Sequence, residues 1–252
     1  MPDQVPVLRL DRVSKSFGGV HAVRDASLTV LAGERRALIG PNGAGKTTLF
    51  NLVAGALPVD GGAITMFGRA VTRWPMHRRA RLGLGRTYQT SQLFGELTVE
   101  ENLLLATLGG KGTPLPLLEP WKSRRGDRAW VADVVAQVGL AERLQDKVSA
   151  ISHGEQRQLE IGMALAMRPR LVMLDEPSSG LSPGERVVIT ELIERLPQDL
   201  TVVLIEHHME LALGVADRVT VLHRGGVISE GTPDDIRADP EVQAVYLGAT
   251  RA

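Results

Sequence analysis

Nine consecutive residues, Gly40, Pro41, Asn42, Gly43, Ala44, Gly45, Lys46, Thr47 and Thr48, fit the spacing G-x-x-x-x-G-K-[ST]. Residues without side chains let backbone N–H groups converge on phosphate oxygens, and a helix starting directly after them presents the positive end of its dipole to the same anion. Lys46 has the reach for the β- and γ-phosphates of a nucleotide, and the Thr47 hydroxyl is a ligand for Mg2+. An apolar run, RALIG at 36–40, precedes the loop and LFNLVAG comes after it, the strand and helix that this chemistry needs on either side.

A second constellation begins at LVMLDEP, residues 171–177. Asp175, at the end of a buried strand, can hold Mg2+ through water. Glu176 next to it can accept hydrogen bonds from an attacking water and act as general base. An isolated acidic pair at a strand end can equally cap a helix; the phosphate loop elsewhere in the chain tips the reading to chemistry. In LIEHH (204–208), His207 follows another apolar run and is placed to hydrogen-bond a γ-phosphate or a carboxylate; His208 reads as exposed. The segment ISHGEQRQLEIGMALAM (151–167) is a Ser-x-Gly turn leading into a helix. Leu159, Met163 and Met167 recur there every four residues and predict an apolar face, and the helix start is a second anion site.

These side chains need elements to hold them. RALIG, LVML (171–174), TVVLI (201–205) and RVTVL (218–222) are short apolar runs ending in polar or Gly-rich residues. Runs of this kind suit strands of a parallel sheet buried on both faces, with ligands bound beyond their carboxyl ends. VLRLDRVSKSF and HAVRDASLTV alternate apolar with polar around Gly18-Gly19, and GGAITMFGRAV (61–71) continues the pattern, so 1–35 and 60–72 predict an antiparallel layer. Residues 98–170 read as helical, with Thr98 and Glu101 as a capping box and VADVVAQVGL (131–140) as a further helix. The Gly-, Pro- and charge-rich stretch 108–128 reads as a connector. The fold class is thus α/β: a mostly parallel core, an N-terminal antiparallel β layer and a helical subdomain, in one domain over 1–252. Its core comprises 1–97 and 168–252, and its helical part 98–167.

Composition excludes several alternatives. The 252 residues carry 29 basic and 29 acidic side chains, which argues against a protein built to grip nucleic acid. There is no cysteine, so disulfides, thiolate metal sites and cysteine nucleophiles are out. No apolar run approaches the roughly 18 residues of a membrane span, and the N-terminus does not read as a secretory signal. Arg69 to Gly95 holds six arginines and no acid, read as a solvated face beside a partner rather than a nucleic-acid site.

Together and in this order, the motifs resemble the ATP-binding subunit of ABC transporters, over essentially the whole chain. The resemblance implies that the 151–167 segment is the family's signature motif, with Ser152 and Gly154 binding the γ-phosphate of ATP held by an opposite subunit. It implies that Phe17 stacks on adenine, and that Gln89 in TYQTSQLF touches Mg2+ or the water and relays state to a membrane partner. His153 and Glu155 stand where the family more often has Gly and Gln, and Ser182 in SSGLS (178–182) stands where Asp is usual. SHGEQRQLEIGMALA, DEPSSGLSP, LIEHHME and the tail GTPDDIRADPEVQAVYLG resemble ATPases of branched-chain amino-acid uptake. That likeness implies an ATPase with ATP and Mg2+, a second ATP-binding subunit, transmembrane permease subunits and, indirectly, a periplasmic solute-binding protein. Its place would be the inner face of the cell membrane. The alternatives are a P-loop small-molecule kinase, which leaves 151–157 without a task, and an export or non-transport ABC ATPase.

Overall fold

A computed structural model describes residues 6–87, 92–111 and 125–249. In chain order these form β1 (Pro6–Phe17), β2 (Val20–Leu31), β3 (Arg35–Ile39), α1 (Lys46–Ala54), β4 (Gly61–Met66), β5 (Arg69–Ala70) and α2 (Met76–Leu82). Then come β6 (Leu84–Arg86), α3 (Val99–Lys111), α4 (Arg125–Gln137), α5 (His153–Ala166), β7 (Leu171–Asp175) and α6 (Pro183–Glu194). The chain continues with β8 (Thr201–Ile205), α7 (Met209–Val215), β9 (Arg218–His223), β10 (Gly226–Gly231), α8 (Pro233–Ala238) and α9 (Pro240–Ala249). The chain divides into two compact units, one of residues 1–82 with 198–252 and one of 83–197.

In the first unit the alternating segments form an antiparallel layer in the order β2-β1-β4-β5, as their patterning predicts. Leu8, Leu10 and Val13 of β1 and Val23, Ala26, Leu28 and Val30 of β2 point to the buried side. The apolar run at β3 lies parallel to both β8 and β9, and β10 closes against β9 antiparallel. Every residue of β8 is buried, which explains an apolar run without alternation. Arg36 departs from that logic. It is fully buried in β3, bonded to Glu34, to the Thr220 hydroxyl at 2.9 Å and the Thr29 carbonyl at 2.9 Å, and paired with Glu230 at 2.9 Å. A buried cation is tolerable when it is paired and hydrogen-bonded in this way.

In the second unit β6 and β7 run parallel, with all five β7 residues buried. Helices α3, α4 and α5 pack on one another. Thr98 and Glu101 form the expected capping box, Thr98 N–H donating to Glu101 Oε2 at 3.0 Å and Glu101 N–H to Thr98 Oγ1 at 3.2 Å. Each box of this kind contributes about 1 kcal/mol.

Three sequence expectations need correction, and the α5 face needs one addition. The basic run is not simply a solvated face: Arg79 is buried and donates to the Leu52, Val53, Trp74 and Thr72 carbonyls. It satisfies open C-terminal carbonyls of α1, and burial lowers its pKa to about 10. The connector read at 108–128 is helical at both ends, since α3 continues through Lys111 and α4 begins at Arg125; 112–124 lie outside the described residues. The apolar face predicted at Leu159, Met163 and Met167 is present, and a second buried face lies beside it on α5. Leu159 is fully buried, but Met163 and Met167 are half-buried and line an apolar cavity of about 180 Å³, while Ile161, Gly162, Leu165 and Ala166 face the core. Finally, His208 is half-buried, at the N-cap position of α7, rather than exposed.

Candidate nucleotide site

The 40–48 loop leaves β3 and enters α1 through backbone conformations that favour glycine: φ is 149° at Gly40, 76° at Gly43 and 102° at Gly45. At Gly40 and Gly45 the neighbours forbid a side chain as well. A Cβ there would sit 2.1 Å from the Leu222 carbonyl oxygen and 2.2 Å from that of Ala22. The loop is anchored by Gly225 N–H donating to the Ala44 carbonyl at 2.9 Å and Ala44 N–H to the Pro41 carbonyl at 3.1 Å. Lys46 is buried, and its ammonium donates to the Gly40 carbonyl at 2.6 Å and the Pro41 carbonyl at 3.1 Å, so the cation is folded onto the loop.

The start of α1 contrasts with those of α5, α6 and α8. Those three begin in reciprocal boxes, Ser152 with Glu155, Ser182 with Glu185 and Thr232 with Asp235. Helix α1 has Gly45 as N-cap, no side-chain cap and no acid in its first turn. Its first amides and dipole are therefore offered to an external anion. Thr47 and Thr48 are half-buried on that first turn. Phe17, at the end of β1, is 47% exposed, with the Lys15 ammonium 5.4 Å from its ring centroid. His207 follows β8 and is exposed, its ring 4.2 Å from that of His208 and tilted by 41°. Glu206 beside it is completely buried.

In the second unit, Asp175 ends β7 with its side chain 1% exposed. Arg86 Nη2 donates to Oδ2 at 3.3 Å, while Oδ1 is buried and has no hydrogen-bond partner among the described residues. Burial raises its pKa above the usual aspartate range, and Arg86 opposes that rise. The Asp175 N–H donates to Thr87 Oγ1 at 3.1 Å, which fixes the strand leading towards Gln89. Gln89 itself lies outside the described residues. Glu176 follows with φ at 47°, a conformation that costs a glutamate about 1–3 kcal/mol.

The turn at 152–155 carries a local anion, and it belongs to the same chain. Ser152 Oγ accepts from Glu155 N–H at 3.2 Å, and Gly154 N–H donates to Glu185 Oε1 at 3.1 Å. Glu155 is in turn paired with Arg143 at 2.9 Å. Hydrogen bonds from Ser182, hydroxyl first, hold the Glu185 carboxyl below its usual range, and the Gly154 amide adds to them. Sequence reasoning missed Glu185, although Ser182-Pro-Gly-Glu185 is a legible capping pattern with Pro at N1. It also missed Arg157, which is buried and bonded to the carbonyls of Asp175, Glu176 and Pro177. Nothing in the local sequence marks that role, because the carbonyls it holds are 18–20 positions away.

A phosphate-binding loop between a buried strand and an uncapped helix, with a buried carboxylate ending another strand, defines a P-loop nucleotide-binding protein. The chain belongs to the ABC transporter family, whose pattern matches residues 23–179, and it is an ATP-binding ATPase of that family. The pattern described as branched-chain amino acid ATP-binding cassette transporter matches residues 227–252. The chain is 40% identical to the high-affinity branched-chain amino acid transport ATP-binding protein LivG of Salmonella typhimurium, covering 96% of this chain and 98% of the relative. It is 38% identical to BraF of Pseudomonas aeruginosa, a protein of the same description, with the same coverage. Among solved structures it is similar to a nucleotide-free ATP-binding cassette from an ABC transporter (TM-score 0.84, 28% identity, 96% and 99% of the two chains). It is also similar to the ADP conformation of MJ1267, an ATP-binding cassette of an ABC transporter (TM-score 0.86, 29% identity, 97% and 99%). No helix among the described residues is long and apolar enough to cross a membrane.

Proposed function

We propose that this chain is the ATP-hydrolysing subunit of a branched-chain amino-acid importer, held at the inner face of the membrane by permease subunits that a periplasmic binding protein supplies with solute. The names of its 38–40% identical relatives support the substrate class. In this reading the loop from Gly40 to Thr48 and Lys46 hold the phosphates, and Phe17 stacks on adenine. Thr47, Asp175 and Gln89 serve Mg2+, Glu176 orients water, and His207 contacts the γ-phosphate. Ser152 and Gly154 of the partner subunit complete the site, so the closed state is a dimer around two ATP molecules. Glu185 then has a counterpart role: its carboxylate holds the Gly154 N–H that the nucleotide phosphate would take over.

The residues present fit Mg2+. A buried carboxylate oxygen without a hydrogen-bond partner among the described residues, on a group that burial disfavours in its charged form, is stabilised as a carboxylate when a cation sits against it. When bound, Mg2+ neutralises charge on the phosphate oxygens. The chain's own contribution is to keep Asp175 dry and to aim Glu176 from a turn that is not free to relax.

The observation that carries the reading is the pair Asp175–Glu176, one with a bare buried oxygen and the other locked at a positive φ. Glu176→Gln keeps the shape and removes the base. It should bind ATP as the parent does, lose turnover by roughly a hundredfold or more, and accumulate as an ATP-bound dimer. Parental turnover, or a monomer with ATP bound, overturns the assignment. Uptake of leucine, isoleucine and valine should vanish from cells lacking the chain and return with the parent but not with Glu176→Gln. Unchanged uptake removes the substrate class.

A further inference from the structure

Arg157 lies in the second turn of α5, three residues beyond Gly154, and is 8% exposed. One guanidinium holds three consecutive carbonyls of a single turn. Nη2 donates to Asp175 O at 3.0 Å and to Glu176 O, and Nε donates to Pro177 O at 3.0 Å. Nη1 donates to Glu160 Oε2 at 2.6 Å, so the charge is paired within its own helix. The Glu176 carbonyl also accepts from Ser179 N–H at 3.0 Å.

This arrangement accounts for an otherwise costly backbone. A non-glycine residue at a φ of 47° persists only where its surroundings over-determine it. With the carbonyls before, at and after the bend all drawn to one planar group, the peptide planes on both sides of Glu176 are fixed. The direction of its Cα–Cβ bond is fixed with them. A guanidinium can do this because its donors fan out in one rigid plane; an ammonium offers three donors from a single point. The buried face of α5 thus reaches the bend at Glu176 through one side chain.

We propose that Arg157 is the positioning residue for Glu176: it sets the backbone from which the carboxylate addresses water, and touches neither nucleotide nor water itself. This rests on the reading of Glu176 as the water-orienting group. A reacting group misplaced by about 1 Å costs on the order of a hundredfold in rate, so the effect belongs in kcat.

The test measures steady-state ATP hydrolysis by the full chain in Arg157→Ala, Arg157→Lys and Glu176→Gln, with thermal melts of each. Arg157→Ala should lose kcat by about 30-fold or more with KM for ATP changed less than about threefold. Millimolar methylguanidinium should restore part of that loss in Arg157→Ala and none in Glu176→Gln. Arg157→Lys should fall between parent and alanine in kcat, again at constant KM. A folded Arg157→Ala within about threefold of the parent overturns the proposal, as does a loss shared equally by kcat and KM, or one that neither methylguanidinium nor lysine relieves. If the alanine variant does not fold, Arg157→Lys decides: kcat reduced at constant KM supports the proposal, and parental kcat overturns it. If Glu176→Gln turns over at the parental rate, it is the assignment of Glu176 that fails, whatever Arg157 does.

Discussion

Gly43 and Gly45 sit two residues apart in the phosphate loop, and replacing each by alanine separates conformational strain from steric exclusion. Gly43 has φ at 76° with nothing within 4 Å of where a Cβ would stand. Gly43→Ala therefore carries only the penalty for a left-handed backbone, about 1–2 kcal/mol. Gly45 has φ at 102°, and its Cβ would sit 2.2 Å from the Ala22 carbonyl oxygen and 3.4 Å from the Gly225 Cα. Backbone would have to move by roughly an ångström, which adds about 1–3 kcal/mol to the same strain. The total for Gly45→Ala is about 2–5 kcal/mol. Urea unfolding without nucleotide, read from midpoint and slope, measures the difference. Gly45→Ala should be less stable than Gly43→Ala by at least about 1 kcal/mol. Because Lys46 is the next residue, Gly45→Ala should also weaken ATP binding. Equal stabilities for the two variants would refute the claim that close approach of Ala22, rather than flexibility, fixes glycine at 45.

Lys46→Met removes the ammonium that now holds the Gly40 and Pro41 carbonyls; charge-assisted bonds contribute about 1.5–3 kcal/mol each, so ATP affinity should fall by about a hundredfold. Parental affinity by calorimetry would refute the loop assignment. Phe17→Ala, at a half-exposed ring, should leave the melting temperature unchanged and weaken ATP binding by about 3–10-fold, with Phe17→Tyr behaving as the parent; equal affinities for all three would exclude stacking. The Glu155 carboxyl is held below the ordinary glutamate range, first by the Ser152 amide and with help from Arg143. A carboxylate lowered on folding stabilises above its unfolded pKa, and that contribution is lost as pH falls through the folded value. Glu155→Gln should therefore flatten the loss of stability between about pH 5 and 3 relative to the parent, and identical acid profiles would show that the box does not titrate.

The sequence by itself determined what is local. The spacing of 40–48 requires a strand–loop–helix, and apolar runs without alternation require strands buried on both faces; the alternating segments require a layer with one wet face. Thr98 with Glu101 is a box because its partners are three residues apart. Backbone periodicity and short-range hydrogen bonding dictate all of these, and a linear string records both. Tertiary structure alone decided the partners of buried charge. Arg79 in a basic run became the C-terminal cap of α1, Arg36 joined a buried network, and Arg157 closed on a turn 18–20 residues away. A guanidinium is as compatible with solvent as with a set of carbonyls, and only the folded chain says which is within hydrogen-bond reach. For the same reason, the sequence marks Ser152 and Gly154 as a helix start, while the carboxylate of Glu185 at that start is a fact of packing.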